Sequence, residues 1–135
     1  MQFFNLHTHK SVNQPEVLEL VNQYPTAFDE AVAVFSIGIH PWHINENAIN
    51  AEMDTIASKI KQPNCLAIGE CGLDKRIEVP MDLQIKVFER QLALAEANTL
   101  PVIIHCVAAF QELIAIKKEM NASVPMIVHG FSKGI

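Results

Sequence analysis

The chain has 135 residues, enough for one compact domain and too few for two ordinary ones, and with 50% hydrophobic and 19% charged residues it can form a sizeable core. Ten Lys and Arg against fifteen Asp and Glu give a net charge of −5, which argues against a broad basic face for nucleic acid and leaves a phosphate partner dependent on a local cation such as a bound metal. No apolar run approaches the roughly 20 residues of a membrane helix, no secretory signal opens the chain, and three cysteines (Cys65, Cys71, Cys106) without a CxxC spacing point to a reducing cytoplasm.

Residues 2–6 read as a first strand, followed by a helix over 15–21 with Pro15 at its first position. Residues 31–39 read as the second strand. The stripe of Ile49, Met53, Ile56, Ala57 and Ile60 predicts a helix over 48–60. A third strand falls at 65–68. A helix follows over 82–98, with Asp82 as its cap and Ile85, Phe88, Leu92 and Ala95 on one face. The fourth strand is 102–104. A helix over 109–120 carries Lys117 and Lys118 at its C-terminal end, and a fifth strand lies at 126–128. The strands are continuous apolar runs, as parallel strands covered on both faces should be. Five strands alternating with four helices imply a parallel α/β sheet or barrel.

All six histidines fall at or just beyond strand ends. His7 and His9 close the first strand, His40 and His43 follow the second, His105 closes the fourth and His129 the fifth. The third leads into Glu70. In parallel α/β barrels that end of the sheet is where active sites are built. His7-Thr8-His9 places two imidazoles on one side of a strand, and neutral imidazole is a good ligand for divalent metals. A carboxylate at the end of an apolar strand, such as Glu70, is costly to bury unless paired or ligated, and it can bridge two ions. Its bland alternative is a hydrogen bond to a neighbouring strand. Gly69 and Gly72 are expected to let the backbone turn tightly around it. Asp74 and Lys75 are read as either a solvated loop pair or substrate contacts. His105 and His129 would singly be satisfied rim histidines; their parallel placement makes them candidate ligands. In the loop Gly38 to His43, His40 is a candidate phosphate contact. Trp42 is either a base-stacking residue or a cap on the barrel mouth. Cys71 and Cys106 adjoin candidate ligands and so are expected to point the other way. Nucleophilic Ser-His-Asp order, a phosphate-cradling GxxxxGK[ST] and GxGxxG are all missing from the sequence.

The set His7-x-His9, Gly38-x-His40-Pro41, Ile68-Gly69-Glu70-x-Gly72-Leu73-Asp74, Pro101 to His105 and His129-x-Phe131-Ser132 resembles the TatD family of metal-dependent deoxyribonucleases, amidohydrolase-like (β/α)8 barrels. Gln84, Phe88 and Gln91 also fit the family's helix after Gly-Leu-Asp. The resemblance implies that His7, His9 and Glu70 hold one divalent ion and that Glu70, His105 and His129 hold a second. The ions would be Mg2+, Zn2+ or Mn2+. It also implies hydrolysis of DNA phosphodiesters by a two-metal mechanism, with Glu70 and His40 as catalytic residues. Three features depart from the family pattern. Asn5 stands where an Asp is usual, Val107, Ala108 and Ala109 offer no basic residue after His105, and no later strand supplies a final Asp ligand. Residues 1–135 are therefore expected to be the N-terminal part of a hydrolase barrel, a partial (β/α)8 TIM barrel of about five parallel strands and four helices. Self-association would cover its open edge. An amidohydrolase-type enzyme acting on another ester or amide, or an inactive metal-binding fragment, are the rival readings.

Overall fold

A computed structural model describes residues 3–8 and 17–129, with side chains from 20 to 128. Six strands form one sheet: β1 (Phe3–Thr8), β2 (Val17–Gln23), β3 (Val34–Ile37), β4 (Cys65–Asp74), β5 (Val102–Val107) and β6 (Met126–His129). Each pairs in parallel with the next in sequence. That sequential order is the winding of a parallel barrel, not of a sheet whose strand order reverses at its middle. Three helices connect the later strands: α1 (Ile49–Lys59), α2 (Met81–Asn98) and α3 (Phe110–Glu119). A short 3-10 turn spans Pro41–His43.

The hydrophobic pattern explains most of these elements. Val102, Ile103 and Ile104 are β-branched and fully buried, so β5 is covered on both faces. On one face of the sheet Phe35, Ile37, Ile68, Leu73 and Ile104 pack with Ile56 of α1, Phe88 and Leu92 of α2 and Ile116 of α3. On the other, Leu20, Ala67 and Ile103 form a smaller cluster with Val34. One layer above that cluster, polar residues begin, and the Ser36 hydroxyl donates to Asn22 Oδ1.

The structure corrects the expected elements in three places. Residues 15–21 are not a helix, since Val17–Gln23 is β2, paired with β1 on one side and β3 on the other. Two ladders and burial of Leu20 and Val21 outweigh the helical preference of a Leu- and Glu-containing run. The described residues therefore hold six strands and three α-helices, not five and four. The third strand does not stop at Ile68, because its ladder with β5 continues through Gly72↔His105 to Asp74↔Val107. Lastly, α2 begins at Met81 behind Pro80 with no side-chain cap, so Asp82 acts only through its charge in the first turn.

One contact joins α2 to the edge of the sheet. The Glu96 carboxylate accepts from the backbone N–H groups of Ser123 and Val124, both at 2.8 Å, and from the Ser123 hydroxyl at 3.0 Å. The Val124 hydrogen bond, then those of Ser123 and the Lys117 charge, hold its carboxyl below the usual range against slight desolvation. A carboxyl depressed on folding stabilises the protein above its unfolded pKa of about 4.3, and that contribution disappears as pH falls through the lower folded value. Wild type is thus expected to exceed Glu96→Gln in thermal stability near neutral pH. The gap should close in acid, as followed by melting curves across the carboxylate range.

Candidate metal centre

The site is built at the C-terminal ends of β3, β4 and β5, and its geometry starts with two glycines. Gly69 and Gly72 have φ of +143° and +145°, backbone that side-chain-bearing residues rarely adopt. A Cβ at Gly69 would fall inside contact distance of the Ile103 carbonyl oxygen, and one at Gly72 inside that of His105. The glycines therefore serve close approach of β5 to β4, and not the tight turn expected from sequence. Between them the register of the two strands shifts, from Gly69↔Ile103 to Cys71↔Ile104. Glu70 is the extra residue of this bulge, the usual device for re-aiming a side chain at a barrel rim.

So aimed, the Glu70 carboxylate lies buried between two imidazoles. Its Oε1 is 3.5 Å from His40 Nε2, and its Oε2 is 3.5 Å from His105 Nδ1. Ligand atoms from all three side chains fall within 4.8 Å of one another. The two imidazoles are held differently. His105 Nε2–H donates to Asp74 Oδ2 at 2.9 Å, so a neutral ring turns its Nδ1 lone pair toward Glu70. His40 Nδ1 accepts the backbone N–H of Trp42 at 3.1 Å, so a neutral ring carries its hydrogen on Nε2 and presents a donor. Glu70 and His105 therefore offer lone pairs to a cation, while His40 offers a hydrogen to an anion.

The pocket favours positive charge. Burial alone would lower the His105 pKa, but hydrogen bonds and charge from Glu70 and Asp74 raise it above the usual histidine value. Burial would raise Asp74, yet His105, the Trp42 indole and the Arg76 N–H hold it below the usual carboxylate range. His105 Nδ1 and Glu70 Oε2 face each other at 3.5 Å, a pair of acceptors that a proton or a cation between them would suit. This donor set fits a divalent ion. Tyr24 feels the same field, with its phenol pKa raised by burial and by the Glu70 charge.

The supporting residues were the least legible. Asp74 is neither a solvated loop residue nor open to substrate. It is 3% exposed, its Oδ2 accepts both His105 Nε2–H and Trp42 Nε1–H, and its backbone is clamped by Gln84. The Gln84 amide accepts from Asp74 N–H at 2.7 Å and donates to Asp74 O at 3.0 Å. Two turns along α2, Gln91 does the same for Ile39, the residue before His40. Both glutamines are almost fully buried, and polar residues on the apolar stripe of a helix were the signal for them. Lys75, by contrast, points into a surface pair with Glu112 at 2.7 Å. Cys71 and Cys106 lie in the layer between sheet and helices, where burial pushes their thiols up and away from ligation.

Of the remaining site candidates, His7 lies on β1 and His129 on β6, where the His129 Cα is the register partner of His105. Their side chains, and that of Asn5, lie outside the described residues, as does His9 entirely.

A sequentially wound parallel sheet with a carboxylate–imidazole cluster at the C-terminal end of its strands defines a barrel-type protein with a candidate metal centre. The comparisons name the family. The model for "TatD related DNase" matches residues 1–135, and the chain belongs to that family. It is 31% identical over 120 residues to the 3'-5' ssDNA/RNA exonuclease TatD of Salmonella typhimurium, covering 87% of this chain and 43% of that protein. It is 36% identical over 110 residues to an uncharacterized metal-dependent hydrolase of Haemophilus influenzae, covering 73% and 40%. It thus spans less than half the length of these relatives. The crystal structure of YjjV, a TatD homologue of Escherichia coli K12, matches with a TM-score of 0.79 at 21% identity, covering 98% of this chain and 61% of that one. That likeness shows the fold, and with it the partial barrel expected from the sequence.

Two substitutions test the geometry. Asp74→Asn leaves the fold intact but weakens the hold on the His105 ring, and divalent-metal affinity measured by calorimetry is expected to fall about 10- to 100-fold. Gly72→Ala forces β5 away from β4, and chemical denaturation should show a loss of about 2–4 kcal/mol.

Proposed function

We propose that the chain contributes to a metal-dependent phosphodiesterase that removes nucleotides from a single-stranded 3′ end of DNA by a two-metal mechanism, with residues 1–135 as the N-terminal part of the barrel. The observation that carries this reading is the confrontation of the His105 Nδ1 lone pair with Glu70 Oε2 in a buried pocket that favours a cation. The named activities of the relatives supply the substrate class.

In this reading Glu70 lies at the centre, with its two oxygens directed to different neighbours, as a bridging carboxylate requires. His105 ligates through Nδ1 while Asp74 fixes its ring. His129 joins from the adjacent strand position, and His7 and His9 come from β1 and the segment beyond it; for these three the family resemblance is the warrant. Divalent ions held there would lower the pKa of a water and offset charge on the phosphoryl oxygens. His40, donating from Nε2, orients a non-bridging phosphate oxygen. Burial of the pocket strengthens both effects.

No described helix is long and apolar enough to cross a membrane. All three cysteines are free and buried, which suits a reducing cytoplasm. The inner-face residue Ile127 of β6 is partly exposed at the edge of the described sheet, where further barrel or a second copy would cover it.

Metal-stripped protein is expected to leave a 5′-labelled single strand intact, and added Mg2+ or Mn2+ to restore a ladder of shortened products. Glu70→Gln should bind less metal and give no ladder. Metal-dependent turnover of a small ester or amide without any ladder would replace this reading with the amidohydrolase one.

A further inference from the structure

We infer that Trp42 is the specificity residue of this site, a fixed platform on which the nucleobase at the strand end stacks. The inference rests on the phosphodiesterase reading above and adds what the site recognises beyond phosphate.

Trp42 is the single tryptophan of the chain, and it is 57% exposed, the most exposed large apolar side chain described. Exposure of so large a ring calls for a reason, because tryptophan is usually well buried. Slack in the chain does not supply one, since three contacts fix the residue. Its backbone N–H donates to His40 Nδ1, its indole Nε1–H donates to Asp74 Oδ2 at 2.8 Å, and the preceding Pro41 is buried in the 3-10 turn. The polar edge of the indole is thus satisfied inward, while the residue as a whole remains largely open to solvent.

Its position matters as much as its exposure. The ring centroid is 4.8 Å from that of His40 and 5.2 Å from that of His105. A phosphate oxygen meeting His40 Nε2 would therefore sit beside the indole, and the base of the same nucleotide would lie within reach of its open face. The uncharged run Val107, Ala108 and Ala109 brings no cation to this part of the rim, and the open indole face adds a stacking contact to the ion site. Every base has a π-face. The platform should therefore read the presence of a base and not its identity, in DNA and RNA alike.

The uniqueness of Trp42 makes its fluorescence a direct report. Phosphorothioate-linked trinucleotides, which resist hydrolysis, are titrated into the protein in Mg2+. Quenching is expected from d(AAA) and r(AAA), and much less from a trimer whose 3′ nucleotide is abasic. In cleavage assays the wild type should prefer a base-bearing 3′ end over an abasic one about tenfold in KM. Trp42→Ala should erase that preference and Trp42→Phe keep most of it. Phenylalanine retains a stacking face but cannot donate to Asp74. If the tryptophan served only to hold Asp74, Phe and Ala would behave alike, and that result overturns the inference. So does equal quenching by base-bearing and abasic trimers. Base-dependent quenching without any cleavage would uphold the platform while removing the phosphodiesterase reading; cleavage indifferent to the terminal base would do the reverse.

Discussion

How close β5 lies to β4 decides whether this protein has a site at all. At Gly69 and Gly72 the backbone of one strand meets carbonyl groups of the other with no room for a side chain. That approach lets the ladder continue past the bulge, so Glu70 is displaced from the regular pleat while Gly72 stays paired with His105 and Asp74 with Val107. A single strand then delivers two carboxylates, four residues apart, to opposite nitrogens of one imidazole. A side chain at either glycine would separate the strands and part that imidazole from both acids.

Outward from this strand pair, the site is supported by hydrogen bonds that fix backbone as well as side chains. Gln84 and Gln91 project from the same face of α2, seven residues apart, and each grips both the N–H and the C=O of one residue. One grips Asp74 itself and the other grips Ile39, next to His40. A glutamine buried within an apolar stripe must find partners for its amide, and here the strand ends provide them. The helix thus contributes nothing to the pocket's chemistry and much to its precision. Asp74 gathers the result, since its one oxygen receives both the imidazole of His105 and the indole of Trp42.

Much of this was legible in the sequence because the chemistry-bearing residues sit where apolar runs end. His40, Glu70 and His105 are separated by at least thirty positions along the chain and are brought together by parallel strands, as the histidine placement implied. Periodicity located α1, α2 and α3 to within a residue or so. It failed at residues 17–23, where a short run containing Leu and Glu fits helix or strand equally and only the neighbouring ladders decide. It also failed at β4, because Gly-Glu-Cys-Gly has the composition of a turn, and a bulge between strands is a property of two segments, not of one. Asp74 was obscured for a related reason. Its neighbour Lys75 marks a surface loop, yet the strand carries Asp74 inside and releases Lys75 only at the next residue.

Burying Glu70 would cost several kcal/mol if the carboxylate stood alone, and here two imidazoles lie beside it. The two imidazoles meet it differently. His40, with Nδ1 occupied by the Trp42 amide, gives a hydrogen; His105, with Nε2 committed to Asp74, gives one only when protonated. The same arrangement that makes His105 a poor neutral donor to Glu70 makes it a good ligand beside it. A cation at the junction satisfies both groups at once and removes the need for the extra proton. The cluster is therefore chemically suited to a divalent ion as well as to a proton, which is the physical sense in which it is a candidate metal centre.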